Sequence, residues 1–365
     1  MKSLDEKTWA QLSAFGDDSP LCIKTTDSSI DGVRLIDDDE KSVPYVTRSD
    51  SNNGLARFVS PKNYEFGSDD GGCITVGLDT QTAFYQPHKF VTGQNIQIIT
   101  GESLNEDVAQ FMVPILRQQM TAKFNWGGNG ATLGRMKRLT VMLPVTDSGE
   151  LDYEYMAEYT RQKRDTMLAK YRTYVEARIA ELGELIEIPA LDEKEWDEFF
   201  IGDLFEVSRP KSRNKDDYDF GNTPFVASGA LNNGVMKCCD AKQDEQLDAG
   251  NCITVSPVDG STFYQPMDFL GRGGAGSSIL MLRSDWLNLY LGQFIARTVR
   301  QTCSKYTYGH MGNKDSIKRE RIMLPVTDSG EPDYAYMEQY AKNMMLRKYQ
   351  QYLEFINRQN VAEVE

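Results

Sequence analysis

Met142-Leu-Pro-Val-Thr-Asp-Ser-Gly-Glu150 returns letter for letter as Met323-Leu-Pro-Val-Thr-Asp-Ser-Gly-Glu331, an offset of 181 residues in a chain of 365. Each copy runs into an Asp-Tyr-x-Tyr-Met start, Asp152 to Met156 and Asp333 to Met337, and then into a long polar segment. Upstream, Cys73-Ile-Thr-Val76 recurs as Cys252-Ile-Thr-Val255, and Phe84-Tyr-Gln-Pro87 as Phe263-Tyr-Gln-Pro266. Leu4-Asp-Glu-Lys-x-Trp9 likewise recurs as Leu191-Asp-Glu-Lys-x-Trp196, so the order of landmarks is the same in both halves. Solenoid units run to roughly 20–50 residues. A repeat this long is instead a tandem duplication of a whole domain plus a helix, and each half is large enough to bury its own core.

The helices follow from periodicity. Tyr153 to about Ile186 contains no proline and sets Leu168, Tyr171, Val175, Ile179, Leu182 and Ile186 at spacings of three and four, which fits one helix stripe. Tyr334 to about Asn357 repeats the rhythm with Met337, Tyr340, Met344, Tyr349, Leu353 and Ile356. Two such helices invite pairing into an antiparallel coiled coil. Between them lie short strand patterns at Ile74–Val76, Ile96–Ile99, Ile253–Val255 and Ile279–Leu282, with helices expected over Asp107 to Lys123 and Asp285 to Val299. The fold class is therefore α+β. Two tandem mixed α/β domains, over 1–150 and 189–331, are separated by long helices over 151–188 and 332–365 that form the antiparallel coiled coil.

Composition narrows the function. Hydrophobic residues make up 40% and charged residues 26%, the ordinary range for soluble globular domains. The start, Met1-Lys-Ser-Leu-Asp-Glu-Lys, has no apolar core of a signal peptide, and no stretch nears the roughly 18 apolar residues of a membrane span. A cytoplasmic protein with no membrane partner is expected. The six cysteines form no Cys-x-x-Cys pair and the histidines are His88 and His310, so a zinc site with standard spacing is disfavoured. Cys73 and Cys252, inside apolar strand patterns, read as small buried hydrophobes. Phosphate-loop, nucleophile-elbow and Asn/Asp-Pro-Pro-Tyr/Phe motifs are lacking. Asp268-Phe-Leu-Gly-Arg-Gly-Gly274 reads as a glycine-rich turn, because the strand and helix that a cofactor loop needs do not flank it. No catalytic, cofactor-binding or metal residue is assigned.

A formal charge of −14 argues at first against nucleic acid, since phosphate binding draws on Lys and Arg. Its distribution reverses that judgement. Arg117 to Arg138 carries five basic residues and no acidic one, and Arg297 to Arg321 carries seven against Asp315 and Glu320. Lys123-Phe-Asn-Trp-Gly-Gly-Asn-Gly130 and Lys305-Tyr-Thr-Tyr-Gly-His-Met-Gly312 each combine a cation, two aromatics and glycines, the ingredients of phosphate contact, stacking and close backbone approach. The same aromatics could equally be inward strand residues. Asn52-Asn53-Gly54 and Asn232-Asn233-Gly234 are first of all turn signals, but Asn can also read an adenine edge bidentately. The DNA-facing candidates are Asn52, Asn53, Lys89, Lys123, Trp126, Arg135, Lys137, Asn232, Asn233, Arg272, Lys305, Tyr308, Lys314 and Lys318.

The tandem architecture, with Phe90-Val-Thr-Gly-Gln-Asn-Ile96, Lys305-Tyr-Thr-Tyr-Gly309 and a Leu-Pro before each long helix, resembles the specificity subunits of type I restriction-modification systems. The Leu-Pro-Val-Thr-Asp-Ser-Gly-Glu helix start is similar to the specificity subunits of the related type IIB enzymes. The resemblance implies two target-recognition domains, each reading one half of a split site on double-stranded DNA, with the helix pair as a ruler. It implies no cofactor in this chain. Partner modification (methyltransferase) subunits methylate adenine, and a restriction (endonuclease) subunit, or one fused restriction-modification chain, cuts. S-adenosylmethionine and Mg then belong to those partners. Because the halves diverge between landmarks, as in Thr47-Arg-Ser-Asp50 against Ala227-Ser-Gly229, the target should be asymmetric. The net acidity leaves another reading, a scaffold or DNA-mimicking inhibitor that binds no DNA. A self-contained methyltransferase is a third.

Overall fold

The structure, a computed structural model, describes residues 2–15, 19, 21–124, 130–274 and 278–362, with side chains to residue 358. Two compact units divide between Tyr171 and Arg172.

Among its described residues the first unit holds three small sheets. β1 (Trp9–Ser13) pairs antiparallel with β9 (Thr140–Pro144), Trp9 facing Pro144. β2 (Leu21–Thr25), β8 (Ile96–Gly101), β5 (Cys73–Gly77) and β6 (Ala83–Gln86) form an antiparallel sheet in that order. β4 (Leu55–Val59), β3 (Val43–Val46) and β7 (Val91–Thr92) form the third, with β7 parallel to β3. Helix α1 (Glu106–Lys123) starts at Asn105, whose side chain accepts from the Val108 N–H at 3.0 Å, and carries Glu106 and Asp107 in its first turn. Both features suit the positive end of a helix. Its buried stripe of Val108, Ala109, Phe111, Met112, Leu116 and Met120 packs into one core with Ile74, Val76 and Ile99. The short α2 (Leu133–Met136) buries Met136 in that core, and α3 (Tyr153–Leu182) follows.

The second unit repeats this plan. β10 (Trp196–Phe200) pairs with β18 (Arg321–Pro325), Trp196 facing Pro325. The four-stranded sheet runs β11 (Glu206–Ser208), β17 (Leu280–Arg283), β14 (Cys252–Val255), β15 (Thr262–Gln265). The third sheet runs β13 (Val235–Cys239), β12 (Phe220–Val226), β16 (Leu270–Gly271), with β16 parallel to β12. α4 (Ile201–Leu204), α5 (Leu289–Cys303), α6 (Lys314–Lys318) and α7 (Tyr334–Ala362) complete it.

The repeated peptides turn out to be the clasp between each domain and the start of its long helix. Lys7 Nζ lies 2.6 Å from the Asp152 carboxylate, and Lys194 Nζ 2.9 Å from that of Asp333. The same carboxylates cap the helices by accepting from the Tyr155 and Tyr336 N–H groups at 2.9 and 3.0 Å. Trp9 and Trp196 each donate their indole N–H at 2.9 Å to the carbonyl five residues earlier, Leu4 or Leu191. Each indole stacks on a helix phenylalanine, Trp9 on Phe111 at 6.1 Å and Trp196 on Phe294 at 6.3 Å. Those phenylalanines meet Tyr159 and Tyr340 edge-on, both at 5.5 Å. Aromatic pairs of this geometry add about 0.5–1.5 kcal/mol beyond burial. Conservation of one clasp in both halves therefore explains why Leu-Asp-Glu-Lys-x-Trp and Asp-Tyr-x-Tyr-Met are the letters that repeat.

Within the second unit, residues of α3 from Arg172 onward run antiparallel to α7. Arg172 donates to Asn357 Oδ1 at 2.9 Å, and the ring of Tyr174 meets that of Tyr349 edge-on at 6.3 Å. Beyond the helix end, Ile186 exchanges two backbone hydrogen bonds with the buried Asn343 side chain, at 2.7 and 3.2 Å. The Asn343 side chain thus pins the segment that follows α3 against α7.

Three helix boundaries differ from the sequence pattern. α3 stops at Leu182 because Gly183 adopts φ +78°, and Ile186 is exposed, as are Leu168 and Tyr171; Val175 is buried. α5 begins at Leu289 rather than Asp285, since Asn288 takes the capping role and accepts from the Tyr290 and Leu291 N–H groups. Trp286 instead packs on Tyr334, ring centroids 4.5 Å apart. α7 continues past Asn357 to Ala362. Among the described residues no helix is long and apolar enough to cross a membrane.

Candidate nucleic-acid interface

The two Asn-Asn-Gly segments are turns of matching backbone conformation joining β3 to β4 and β12 to β13. Asn52, Asn53 and Gly54 have φ of 50°, 54° and 77°, and Asn232, Asn233 and Gly234 have 49°, 54° and 77°. Three consecutive left-handed residues select for Asn and Gly, because other side chains pay a steric cost there. A Cβ on Gly54 or Gly234 would also meet the Thr47 or Ala227 carbonyl oxygen at 2.9 or 3.0 Å. Buried glutamines hold the turns from below, Gln86 donating to the Asn53 carbonyl at 3.0 Å and Gln265 to that of Asn233 at 2.9 Å. The turn thus uses only the backbone atoms of its asparagines, with a glutamine side chain as the support beneath. All four asparagine side chains remain exposed, and among the described residues they make no hydrogen bond.

Two other segments join each turn. In the first unit, the Thr80 hydroxyl at the β5–β6 tip donates to the Arg48 carbonyl at 2.8 Å, and Arg48 pairs with Asp79. Arg117 of α1 lies over the Phe84 ring at 5.2 Å and bonds Asp50 at 2.5 Å. The loop after the helix is pinned where the Ala131 N–H donates to the Leu78 carbonyl at 2.9 Å. In the second unit Arg300 lies over Phe263 at 5.7 Å, and the Gly312 N–H donates to the Pro257 carbonyl at 2.8 Å. Burial works against ionisation of Asp259 at that tip, but the Ser256 and Ser261 hydroxyls, with Arg300 nearby, hold its carboxyl below the usual range.

The other candidates divide. Arg272 follows β16 and donates its N–H to the Val226 carbonyl at 2.8 Å, which sets it at the same end of β12 as the Asn232–Asn233 turn. Its Nε is buried with no hydrogen-bond partner among the described residues. Lys89 precedes β7, which is parallel to β3, so it lies at the end of β3 away from Asn52 and covers the Tyr64 ring at 4.9 Å. Lys123 reaches Thr140 Oγ1 at 3.3 Å, and Arg135 donates to the Gly130 carbonyl at 3.0 Å. Lys305 is committed to Glu320 at 2.6 Å. Tyr306 is core: burial and its bond to Glu320 push its phenol up to about 12. Tyr308, by contrast, is 85% exposed. Met136 and Ile317, both fully buried, set the following residues Lys137 and Lys318 at matching exposed positions, and Lys314 is exposed at the start of α6. Trp126 lies outside the described residues.

Arg48, Arg117 and Arg300 were missed. For the last two a signal existed, since Arg117 and Arg300 fall within the two basic stretches of the sequence. Among the described residues no group of three or more His, Cys, Asp or Glu could hold a metal ion.

Residues 32–170 and 193–354 both match the family model described as the type I restriction modification DNA specificity domain. The chain is similar to the specificity subunit S.BcgI of a type II restriction enzyme from Heyndrickxia coagulans, 26% identical over 309 residues that cover 84% of this chain and 86% of that one. Among solved structures it is similar to the S subunit of a type I system from M. genitalium, at 11% identity and TM-score 0.47 over 99% of this chain and 94% of that one. The HsdS subunit of Thermoanaerobacter tengcongensis is similar at 14% identity and TM-score 0.29, over 96% of this chain and 91% of that one. Carrying that domain twice over most of its length, the chain belongs to the DNA specificity family of restriction-modification systems, as a specificity subunit.

Proposed function

We propose that the chain reads a split, asymmetric site on double-stranded DNA, one half per unit, and supplies recognition rather than chemistry. Partner subunits methylate adenine with S-adenosylmethionine and cut with Mg. Those partners are modification subunits with a restriction subunit, or one fused restriction-modification chain. One observation carries the reading: each unit presents the same rigid turn, with the same φ angles and the same buried Gln beneath it, among different neighbours. Where the first unit has Thr47-Arg-Ser-Asp50 and Gly93, the second has Ala227-Ser-Gly-Ala230 and Arg272. A common scaffold with unlike contacts is what reading two unlike half-sites requires.

The acidic-scaffold alternative is not favoured by the family, and the cations around each turn argue against it. Selection from a random duplex pool by the chain with its methyltransferase partner tests the proposal. Enrichment of two unlike blocks at fixed spacing is expected, and a stable complex that enriches nothing would refute it.

A further inference from the structure

The four-stranded sheets of the two units differ on one face. In the second unit a concave pocket of 390 Å³ is lined by Arg209, Lys211, Arg213 and Arg283 against one carboxylate, Asp248. The carboxylates there are already engaged. Asp248 accepts from Arg213 Nη1 at 2.7 Å and the Gly271 N–H at 3.0 Å, while Glu245 accepts from Arg213 Nε at 2.8 Å and the Tyr218 hydroxyl at 2.9 Å. Arg283 is held half-buried by the Gly250 and Ala249 carbonyls at 3.0 and 2.6 Å. Arg209 and Lys211 are exposed and have no carboxylate partner among the described residues.

Strand register identifies the matching place in the first unit. Leu282 pairs with Val207 and Ile253, as Ile99 pairs with Ile23 and Ile74. Counting outward, Arg209, Lys211, Arg213 and Arg283 correspond to Thr25, Asp27, Ser29 and Thr100. Lys24, the cation nearby, is held by Asp27 at 2.6 Å and lies 3.7 Å from Asp69. Two carboxylates thus face the one lysine, and the four matching positions carry no cation.

We propose that Arg209, Lys211 and Arg283 form an oxyanion pocket that seats a backbone phosphate of the DNA, present on the second unit and lacking on the first. The pocket wall is continuous with the candidate interface: the Gly273 N–H donates to the Lys211 carbonyl at 2.9 Å, and Arg272 is its neighbour. Lys and Arg without internal partners on an acidic body are where polyanion contact yields most, because Coulombic attraction is not already spent. The inference rests on the DNA reading and assigns the second unit the larger share of the salt-dependent grip.

The test uses the full complex and the site its wild-type form selects, so that failure of the DNA reading shows in the wild type before any variant is made. Each phosphate contact adds about 0.9 to the slope of log affinity against log salt. Arg209→Ala with Lys211→Ala should lower the slope by about one, so that wild type loses about three- to fourfold more affinity than the variant between 50 and 200 mM salt. The selected sequence should not change, and Arg209→Lys with Lys211→Arg should keep the wild-type slope. An Ala variant with the wild-type slope overturns the proposal. So does a slope that is unchanged while the variant loses stabilisation by inorganic phosphate, which would make the pocket a free-anion site.

Discussion

Asn233→Gly separates the two roles of the Asn-Asn-Gly turn. Glycine accepts φ 54° without strain, and the supports beneath, Gln265 on the Asn233 carbonyl and the Ala227 N–H on that of Gly234, involve backbone atoms the substitution leaves in place. Folding should change by under about 1 kcal/mol, the entropy of the added glycine. What disappears is the exposed amide. If it reads a base edge bidentately, affinity for the selected site falls by about 1–3 kcal/mol, roughly 5- to 150-fold, with relaxed preference at one position. Asn233→Ala adds a Cβ without Asn's tolerance of the left-handed region and should cost about 1–2 kcal/mol of folding as well. Melting of the variants and competition binding with single-base mismatches give both readouts. An Asn233→Gly complex with wild-type affinity and wild-type preference at every position would refute the side-chain role and leave Asn233 a turn residue only.

Gln265→Ala strands the Asn233 carbonyl, and by the cost of an unsatisfied buried acceptor should lose about 1–3 kcal/mol of stability by denaturant titration; no loss would mean the turn holds itself. Gly292→Ala drives a Cβ to 2.1 Å from the Tyr264 ring and should cost about 1–3 kcal/mol by overpacking, although the matching residue of the first unit, Ala109, carries that methyl; an unchanged melt contradicts it. At Asp152 and Asp333 burial opposes ionisation, but Lys7 and Lys194, with the capping N–H groups, prevail and hold the carboxyls below the usual range. Depressed folded values mean the contribution is present at neutral pH and lost as pH falls through the acid range below about 4, so Asp→Asn variants should melt earlier than wild type at pH 7, and the gap should narrow as pH falls through that range. Burial pushes the Cys73 and Cys303 thiols up to about 12 and Cys252 to about 11, so a thiol reagent should find Cys22 and Cys238 quickly in native protein and the other four after denaturation.

The duplication, the long helices and the paired turns were legible in the sequence because each rests on short-range chemistry: a helical stripe, an Asp at a helix start, two Asn before a Gly. What the letters could not carry was long-range pairing. Nothing local says that Trp9 lies opposite Pro144, or that Lys7 spends its charge on Asp152. The site suffered from the same blindness. Lys305 looked available until Glu320 was seen beside it, and only the fold decides between the stacking and inward readings of Tyr306, which is buried. Arg209 and Lys211 drew no notice because their meaning depends on Arg283, some seventy residues away in the chain. Helix ends were missed where one residue outweighed the pattern, Gly183 ending α3 early and Asn288 starting α5 late.

The central claim is that each unit reads its own half-site. Replacing Thr47-Arg-Ser-Asp50 by Ala227-Ser-Gly-Ala230 leaves the buried Val46 and Gly54 flanks intact, and the selected sequence of that complex can be compared directly with wild type. The account predicts that one block of the motif changes while the other block and the spacer stay the same. Change in both blocks, or in neither, would contradict it.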